Sequence, residues 1–581
     1  MTTKTRHAVF QPCALAVAVA LGCVAPVQAI SFNIGEVEAQ FDSALSIGAS
    51  WGVRGADPDF VSPFNSVGHR GEASSRTNDD GRLNFKRGET FSKIFKGVHD
   101  LELKYGDTGV FIRGKYWYDF ETKDEHRLFY DIDDHNRKEA AQSSGAEILD
   151  AFIYHNYSIG SLPGSVRAGK QVVSWGESTF IPNSINSINP VDASALRRPG
   201  AEVKEALIPV NMLYVSQALT DTVSAEVFYQ LEWDQTVADN CGTFFSTGDP
   251  IADGCEDRLV VGGLDLPPGQ AGNAFVPRGD DRDARDSGQY GVALRWFAES
   301  LNDTEFGLYA LNYHSRSPNF SFTRTTTGSP FTSNYFLDYP EDIRLYGMSF
   351  QTNVSGVAVA GELSYRPNMP MQINSTDLTL AALAQPVSPV FTSGHAQNVA
   401  GEEIQGYVRK PFTQAQVTVV HTIDRVLGAS RVALVGEVGY NHISGISNDV
   451  GDLRFGRDSV FGFGEISNNA ACEAAFNALN PDECNDDGFF TTSSWGYRVR
   501  ANAEYSNVFA GVNLTPNIAW SHDVDGYGPN FNEGSKSVSV GLNADFMNTY
   551  NASLSYTDFF GGEYNTATDR DFVALSFGVN F

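Results

Sequence analysis

Ionisable residues recur at alternate positions along this chain of 581 residues. Arg113 and Lys115 stand two apart, as do Arg498 and Arg500, with Glu504 in the same phase. Glu226, Glu232, Arg295, Glu362, Arg366 and Glu437 lie in runs of the same kind. Period 2 puts such residues on one face of a β-strand. Two readings are open for that face. Either water bathes it and its charges are solvated or paired, or its arginines hold the carboxylate or phosphate end of an amphiphile. Catalysis has little to build on. A nucleophile needs a base and a polar group to orient it. His155, His421 and His522 are candidates for the base, but there is no G-x-S-x-G elbow or paired motif. Neither an enzyme nor a cofactor is expected. Asn78-Asp79-Asp80-Gly81 is similar to a calcium loop. The spaced acids and distal Glu of an EF-hand are missing, however, and a tight Asp-Gly turn is the simpler assignment.

Four cysteines fall in two local pairs, Cys241 with Cys255 and Cys472 with Cys484, each in a polar segment rich in Gly, Asp or Asn. In an exported chain such pairs read as disulfides. A metal site is the rival, but no Cys-x-x-Cys spacing or neighbouring His supports it.

Export is indicated at the N-terminus. Lys4, Arg6 and His7 precede an apolar run from Ala14 to Val27, and Val27-Gln28-Ala29 is an A-x-A-like cleavage site. This is the pattern of a secretory leader, with cleavage between Ala29 and Ile30. Cys13 and Cys23 leave with it, and Ala20 and Leu21 fit a lipoprotein signal poorly. Residues 1–29 are thus read as the leader and 30–581 as the mature domain.

The elements that must position the charged faces are strands. Runs with an apolar residue at every second position recur from end to end, and eighteen are centred near residues 47, 101, 114, 153, 168, 215, 228, 293, 309, 347, 360, 418, 436, 500, 514, 541, 554 and 576. Their polar faces carry Arg, Lys and Glu, and their apolar faces often end in Tyr or Trp. That sorting suits lipid outside, water inside and aromatic girdles at the two interfaces. Sheet edges cannot sit in hydrocarbon, so the sheet must close. The fold expected is an all-β transmembrane antiparallel barrel of about 18 strands, with 14 or 16 if a hairpin is miscounted. Connections alternate between short and long. Short ones lie near Gly106-Asp107, Leu162-Pro163, Thr220-Asp221, Ser300-Asn302, Asn353, Leu427-Gly428, Ser506-Asn507 and Asn548-Thr549. This is the rule of short periplasmic turns and long extracellular loops. The last strand ends on Phe577, Val579 and Phe581, the terminal aromatic pattern that bacterial outer-membrane barrels show to their assembly machinery.

Composition agrees. Without Lys4 and Arg6 the balance is 39 basic against 70 acidic residues, a net charge of −31, which excludes phosphate-backbone recognition of nucleic acid. The acids cluster between the alternating runs and are read as hydrated loops. Mean hydropathy is −0.23, as expected when only the outward half of each strand is apolar. No mature stretch has 18 consecutive apolar residues, so helical spans are not expected.

One long connection stands apart. From Ser174 to Pro209 there is little period-2 pattern, several apolar residues and few loose acids. It reads either as a plug inside the lumen, with Trp175, Glu177, Asn189, Asp192, Arg197 and Arg198 as its candidate contacts, or as an ordered surface loop. A second segment, Asn368 to Leu383, is expected to end in a short amphipathic helix over the pore mouth.

Several blocks resemble the bacterial outer-membrane family known as domain of unknown function 1302. They are Asn78-Asp79-Asp80-Gly81-Arg82-Leu83-Asn84-Phe85, Gly169 through Ser178, Ile188-Asn189-Pro190-Val191-Asp192, Thr304 through Gly307, Tyr313-His314-Ser315-Arg316, and Ser521 through Tyr527. That family is grouped with FadL-type long-chain fatty-acid channels. The resemblance implies an outer-membrane barrel that moves lipid-like molecules, together with an RND-type inner-membrane transporter and a periplasmic lipid-binding protein. FadL-type channels carry a long N-terminal hatch, whereas here only about a dozen residues separate Ile30 from the first strand at Phe41. Any hatch must then be internal, and residues 174–209 are the candidate. Two alternatives remain: a general or anion-selective porin, and a non-conducting scaffold for a lipid-trafficking complex.

Overall fold

A computed structural model describes residues 30–246 and 248–581. The expected leader, residues 1–29 with Ala29 of its cleavage site, lies outside the described residues. Eighteen strands form one antiparallel sheet that closes on itself. In chain order they are β1 (Val37–Gly52), β2 (Thr90–Tyr105), β3 (Thr108–Asp119), β4 (Ser144–Ile159), β5 (Leu162–Gln171), β6 (Val210–Ala218), β7 (Val223–Gln230), β8 (Gln289–Ala298) and β9 (Thr304–Tyr313). The second half comprises β10 (Ile343–Val354), β11 (Val357–Gln372), β12 (Tyr407–Asp424), β13 (Arg431–Ile443), β14 (Ser493–Phe509), β15 (Val512–Asp525), β16 (Lys536–Phe546), β17 (Tyr550–Phe560) and β18 (Phe572–Asn580). Each of the eighteen centres read from the alternation falls inside one of them. The ring closes where β1 pairs with β18, from Ala44 opposite Asn580 to Gly52 opposite Phe572. The terminal Phe581 donates its amide to the Ser43 carbonyl (2.8 Å). A short leading strand, Ile30–Ile34, pairs with the start of β1. No helix of the described residues is long and apolar enough to cross a membrane; the strands make the crossing.

The outward face of this transmembrane barrel is a belt of exposed apolar side chains, among them Leu213, Val292, Leu308, Met348, Val438, Leu542 and Leu554. At its loop-side rim aromatics face one another across strands: Tyr229 opposite Tyr290, Tyr346 opposite Tyr365 and Tyr440 opposite Trp495. Trp296 opposite Phe306 marks the other rim. Rings with an apolar body and a polar tip favour such interfaces.

Turn chemistry moves three of the short connections by a few residues. The turn expected at Leu162-Pro163 is Gly160-Ser161, and the one near Asn353 is Ser355-Gly356. Their glycines have φ of 65° and 85°, conformations that cost glycine little. Ser506-Asn507 is not a turn: β14 runs on to Phe509, and the chain reverses at Ala510-Gly511. Asn507 (φ 50°) instead lies in an irregularity of the β14–β15 ladder.

The long connections all leave the opposite end, and they are not loose hydrated loops as the acid clusters suggested. Except for the one between β5 and β6, they pack into a cap with its own apolar core, in which Phe322, Tyr335, Ile373, Leu378 and Val390 are almost wholly buried together with Phe412 of β12. The helix in the second singled-out segment spans Ser375–Ala382, with the Asn374 side chain accepting from the Thr376 and Asp377 amides. It is buried on most sides and therefore lacks the one-faced pattern of an amphipathic helix. Residues before it, to Gln372, belong to β11. Both cysteine pairs are disulfides within the cap, with Cα–Cα distances of 6.4 Å for Cys241–Cys255 and 6.0 Å for Cys472–Cys484. Closing loops of this length stabilises by about 3 kcal/mol. Reduction is therefore expected to speed protease nicking of both loops more than tenfold while the barrel stays resistant, a result read by timed proteolysis with and without reductant.

Candidate functional site: the luminal segment

The chain between β5 and β6, residues 172–209, enters the barrel and reaches strands around the ring. Asn189 clips its two feet together. Its side chain accepts from the Val173 amide (3.1 Å) and donates to the carbonyls of Gln171 (3.4 Å) and Ile208 (3.1 Å). Trp175 is 1% exposed and packs on Phe228 of β7 and Tyr309 of β9. With Val173, Ile185 and Ile188 it forms an apolar cluster against inward side chains of β6 to β10, including Met212, Leu311 and Leu345. Gly291 lets the indole approach, since a Cβ there would lie 2.8 Å from the ring.

Two inward carboxylates hold the middle of the segment by its main chain. Glu362 of β11 accepts from the amides of Glu177 and Ile185. Glu437 of β13 accepts from those of Thr179, Phe180 and Ile181. Arg366 of β11 donates to the Ser184 carbonyl (2.7 Å) and the Ser187 hydroxyl (2.8 Å). Gln414 of β12 donates to the Pro182 carbonyl (2.9 Å). On the far side Lys115 of β3 meets Asp192 at 3.0 Å, and Lys96 of β2 meets Glu205 at 2.6 Å. Asp192 also caps the short helix Ala193–Arg197.

The remaining charged residues divide into three groups. Arg113 pairs with Asp100 and Asp150, Arg295 with Glu226 and Glu305, and Arg498 with Asp523. Glu226 in addition accepts from the Trp175 indole (2.6 Å), and Glu177 lies 3.9 Å from Arg295. Arg500 and Glu504 are exposed on the inner face towards the short turns, where Arg500 donates to its neighbour Asn502 (3.2 Å). Glu232 does not join the inner wall. Its strand ends at Gln230, the alternation stops there, and its carboxylate takes the side chain of the exposed Asn211. Within the segment, Arg197 turns to Asp239 of the cap, and Arg198 lies over the Trp117 ring (4.8 Å). Sequence reading missed Lys96 and Gln414, whose alternation phase matches that of the residues it did choose.

The profile of DUF1302, described only as a protein of unknown function, matches residues 11–581. The chain belongs to the DUF1302 family. No curated protein matches it. Among solved structures it is similar to the outer membrane channel DcaP of Acinetobacter baumannii (10% identity, 96% of this chain and 100% of that one, TM-score 0.35). It is also similar to OccAB1 of the same organism (10%, 95% and 98%, 0.39) and to OccD3 (OpdP) of Pseudomonas aeruginosa (10%, 97% and 96%, 0.37).

Three blocks that carry the DUF1302 resemblance converge on the luminal segment. Gly169 to Ser178 leads into it, and Ile188 to Asp192 is its clip. Tyr313 to Arg316 closes on it from β9: Arg316 donates to the Ile188 carbonyl (3.2 Å) and to the Gln230 side chain, while the Tyr313 hydroxyl accepts from Arg366 (2.7 Å). A fourth DUF1302 block, Asn78 to Phe85, lies in the cap. There Asp79, Asp80 and Asp265 bring carboxylate oxygens within 4.8 Å of one another. Asp80 and Asp265 share the buried Arg258 guanidinium, while one oxygen each of Asp79 and Asp265 has no partner. So Asp79-Asp80 is not a simple exposed turn: it opens a buried helical turn, Asp80–Asn84. Burial beside like charge pushes the Asp79 carboxyl up to about 7 and Asp265 up to about 9. The folded cap thus retains protons that the unfolded chain releases near pH 4. The stability these two carboxyls contribute is full below about pH 4 and is lost as pH rises through 7 and towards 9. We expect cap proteolysis to accelerate over that window and Asp265→Asn to flatten the profile; a flat profile in the parent protein would refute this assignment of protons.

Proposed function

We propose that this protein is an outer-membrane channel for hydrophobic or amphiphilic, lipid-like molecules, with residues 172–209 as its internal gate. One observation carries the reading: the segment is seated in the lumen by main-chain N–H groups donating to Glu362 and Glu437 on one side and by buried ion pairs on the other. A lumen filled in this way passes ions poorly. Its apolar lining around Trp175 suits greasy cargo better than hydrated solutes, and the paired state of Arg113, Arg295 and Arg498 argues against an anion-selective pore. An inner-membrane transporter of the RND class and a periplasmic lipid carrier complete the reading on the strength of the resemblance, and the exposed Phe577 with Val579 and Phe581 serves as the assembly signal. The test pairs two measurements. Mass spectrometry of protein extracted from membranes should show co-purified lipid-like molecules, and planar-bilayer recordings should show almost no steady conductance. Large, stable openings from the unaltered protein would replace this reading with a porin.

A further inference from the structure

Two arginines stand on the outer wall just above its loop-side aromatic rim. Arg344 of β10 comes two residues before Tyr346, and Arg409 of β12 comes four before Thr413. Tyr346, Tyr365 and Thr413 lie opposite one another on β10, β11 and β12. Alternation fixes the direction of the arginines. Leu345 and Phe412 point into the barrel at 0% exposure. Arg344 and Arg409 have the opposite phase, so they point out, and both are exposed. Below them the wall is apolar, with Tyr346, Met348, Leu363 and Tyr365 exposed to the bilayer.

A bulge brings the two together. Pro367 and Asn368 of β11 stand against the single Pro411 of β12, and a bulge at a barrel rim re-aims the side chains beside it. The Asn368 side-chain oxygen accepts from the Arg344 amide (3.0 Å), and the Asn368 carbonyl accepts from Arg409 Nη1 (3.3 Å). Arg409 Nη2 reaches on to the Glu341 carbonyl (2.6 Å), three residues before Arg344. Arg409 is thus held by carbonyls, which position a guanidinium without cancelling its charge. The carboxylates close by are engaged elsewhere. Arg285 takes both Glu341 and Asp342, and Arg282 takes Glu403 (2.5 Å). Asp338 faces Arg282 and Arg409 together from the cap, where burial pushes its carboxyl up. Among the described residues neither Arg344 nor Arg409 forms an ion pair. Two guanidiniums left over in so acidic a chain, at the level of the lipid head groups, select an anion. Their forked donors suit a phosphate bound through two oxygens.

We propose that β10 to β12 bind a phosphorylated glycolipid of the outer leaflet, with its phosphate between Arg344 and Arg409 and its acyl chains along Tyr346, Met348, Leu363 and Tyr365. Long loops face the cell exterior in barrels of this kind, which puts the pair among the outer head groups. The site lies on the wall and not in the lumen, so its lipid is separate from the cargo of the channel.

Native mass spectrometry of the full chain in detergent micelles reads bound lipid directly, with diphosphoryl lipid A as the probe. The parent protein is expected to retain it. Arg344→Ala/Arg409→Ala should weaken retention at least fivefold in a barrel that keeps its heat-modifiable mobility. Lipid A stripped of its phosphates, with the same acyl chains, should bind the parent at least fivefold more weakly and should not distinguish the parent from the double variant. Arg500→Ala, which removes an exposed arginine from the inner face, should change nothing. Millimolar inorganic phosphate should leave lipid A in place. Equal retention of lipid A by the parent and the double variant, or of the two lipids by the parent, would overturn the proposal. Displacement by inorganic phosphate would do so too, since the site would then serve a soluble anion. The luminal segment is intact in both variants, so failure here leaves the gate reading standing.

Discussion

Removing residues 178–187 and joining the flanks with a short Gly-Ser linker is expected to raise single-channel conductance at least tenfold. That stretch contains the amides held by Glu437, the Ile185 amide held by Glu362 and the contacts of Arg366. Trp175 and the Asn189 clip remain, so the feet of the segment stay seated while its centre opens. The double variant Glu362→Gln/Glu437→Gln is expected to do less. An uncharged amide still accepts, but a hydrogen bond from a carboxylate is roughly twice as strong as a neutral one. Flickering openings, rather than a permanent pore, are therefore expected of it. A deletion variant that folds, shows the heat-modifiable mobility of a closed barrel and still conducts nothing would show that the lumen is blocked elsewhere.

Arg258→Ala is expected to destabilise the cap by about 3–5 kcal/mol, the usual result of stripping one partner from a buried pair. The Arg258 guanidinium and the Asp80 and Asp265 carboxyl groups are all at 0% side-chain exposure, with Arg258 Nε 2.7 Å from Asp80. Removing it leaves Asp79, Asp80, Asp249 and Asp265 together without their cation. The loss should appear as faster hydrogen exchange and proteolysis of the loops after β1 and β7, with the barrel strands unchanged. It should be worse at pH 8 than at pH 5, because rising pH drives ionisation of the remaining carboxyls, which burial makes costly. Adding Asp80→Asn and Asp265→Asn should recover part of the loss. Equal stability of Arg258→Ala and the parent at both pH values would show that the ion pair is not what holds these loops.

The barrel was legible because alternation is a local property. Val573, Leu575, Phe577 and Val579 declare their face without reference to any other strand, and the order of short and long connections follows from where the runs stop. The luminal segment was legible by contrast: residues 174–209 lack the alternation that surrounds them and carry Trp175, Ile181, Ile185 and Ile188 where a hydrated loop has no use for them. The cap was not legible, because its bonds are between distant partners. Arg82 finds Asp569 across 487 positions and Arg258 finds Asp80 across 178, and no spacing rule joins them. Glu232 was misplaced for a related reason. It continues the phase of Glu226, and only the chain's turn after Gln230 takes it off the inner wall.

Glu362 and Glu437 grip peptide N–H groups, which every residue except proline supplies. The hold of these two carboxylates on the amides of Glu177, Thr179, Phe180, Ile181 and Ile185 is therefore blind to side-chain identity, and the part of the seat that reads identity is the buried packing of Trp175, Ile185 and Ile188.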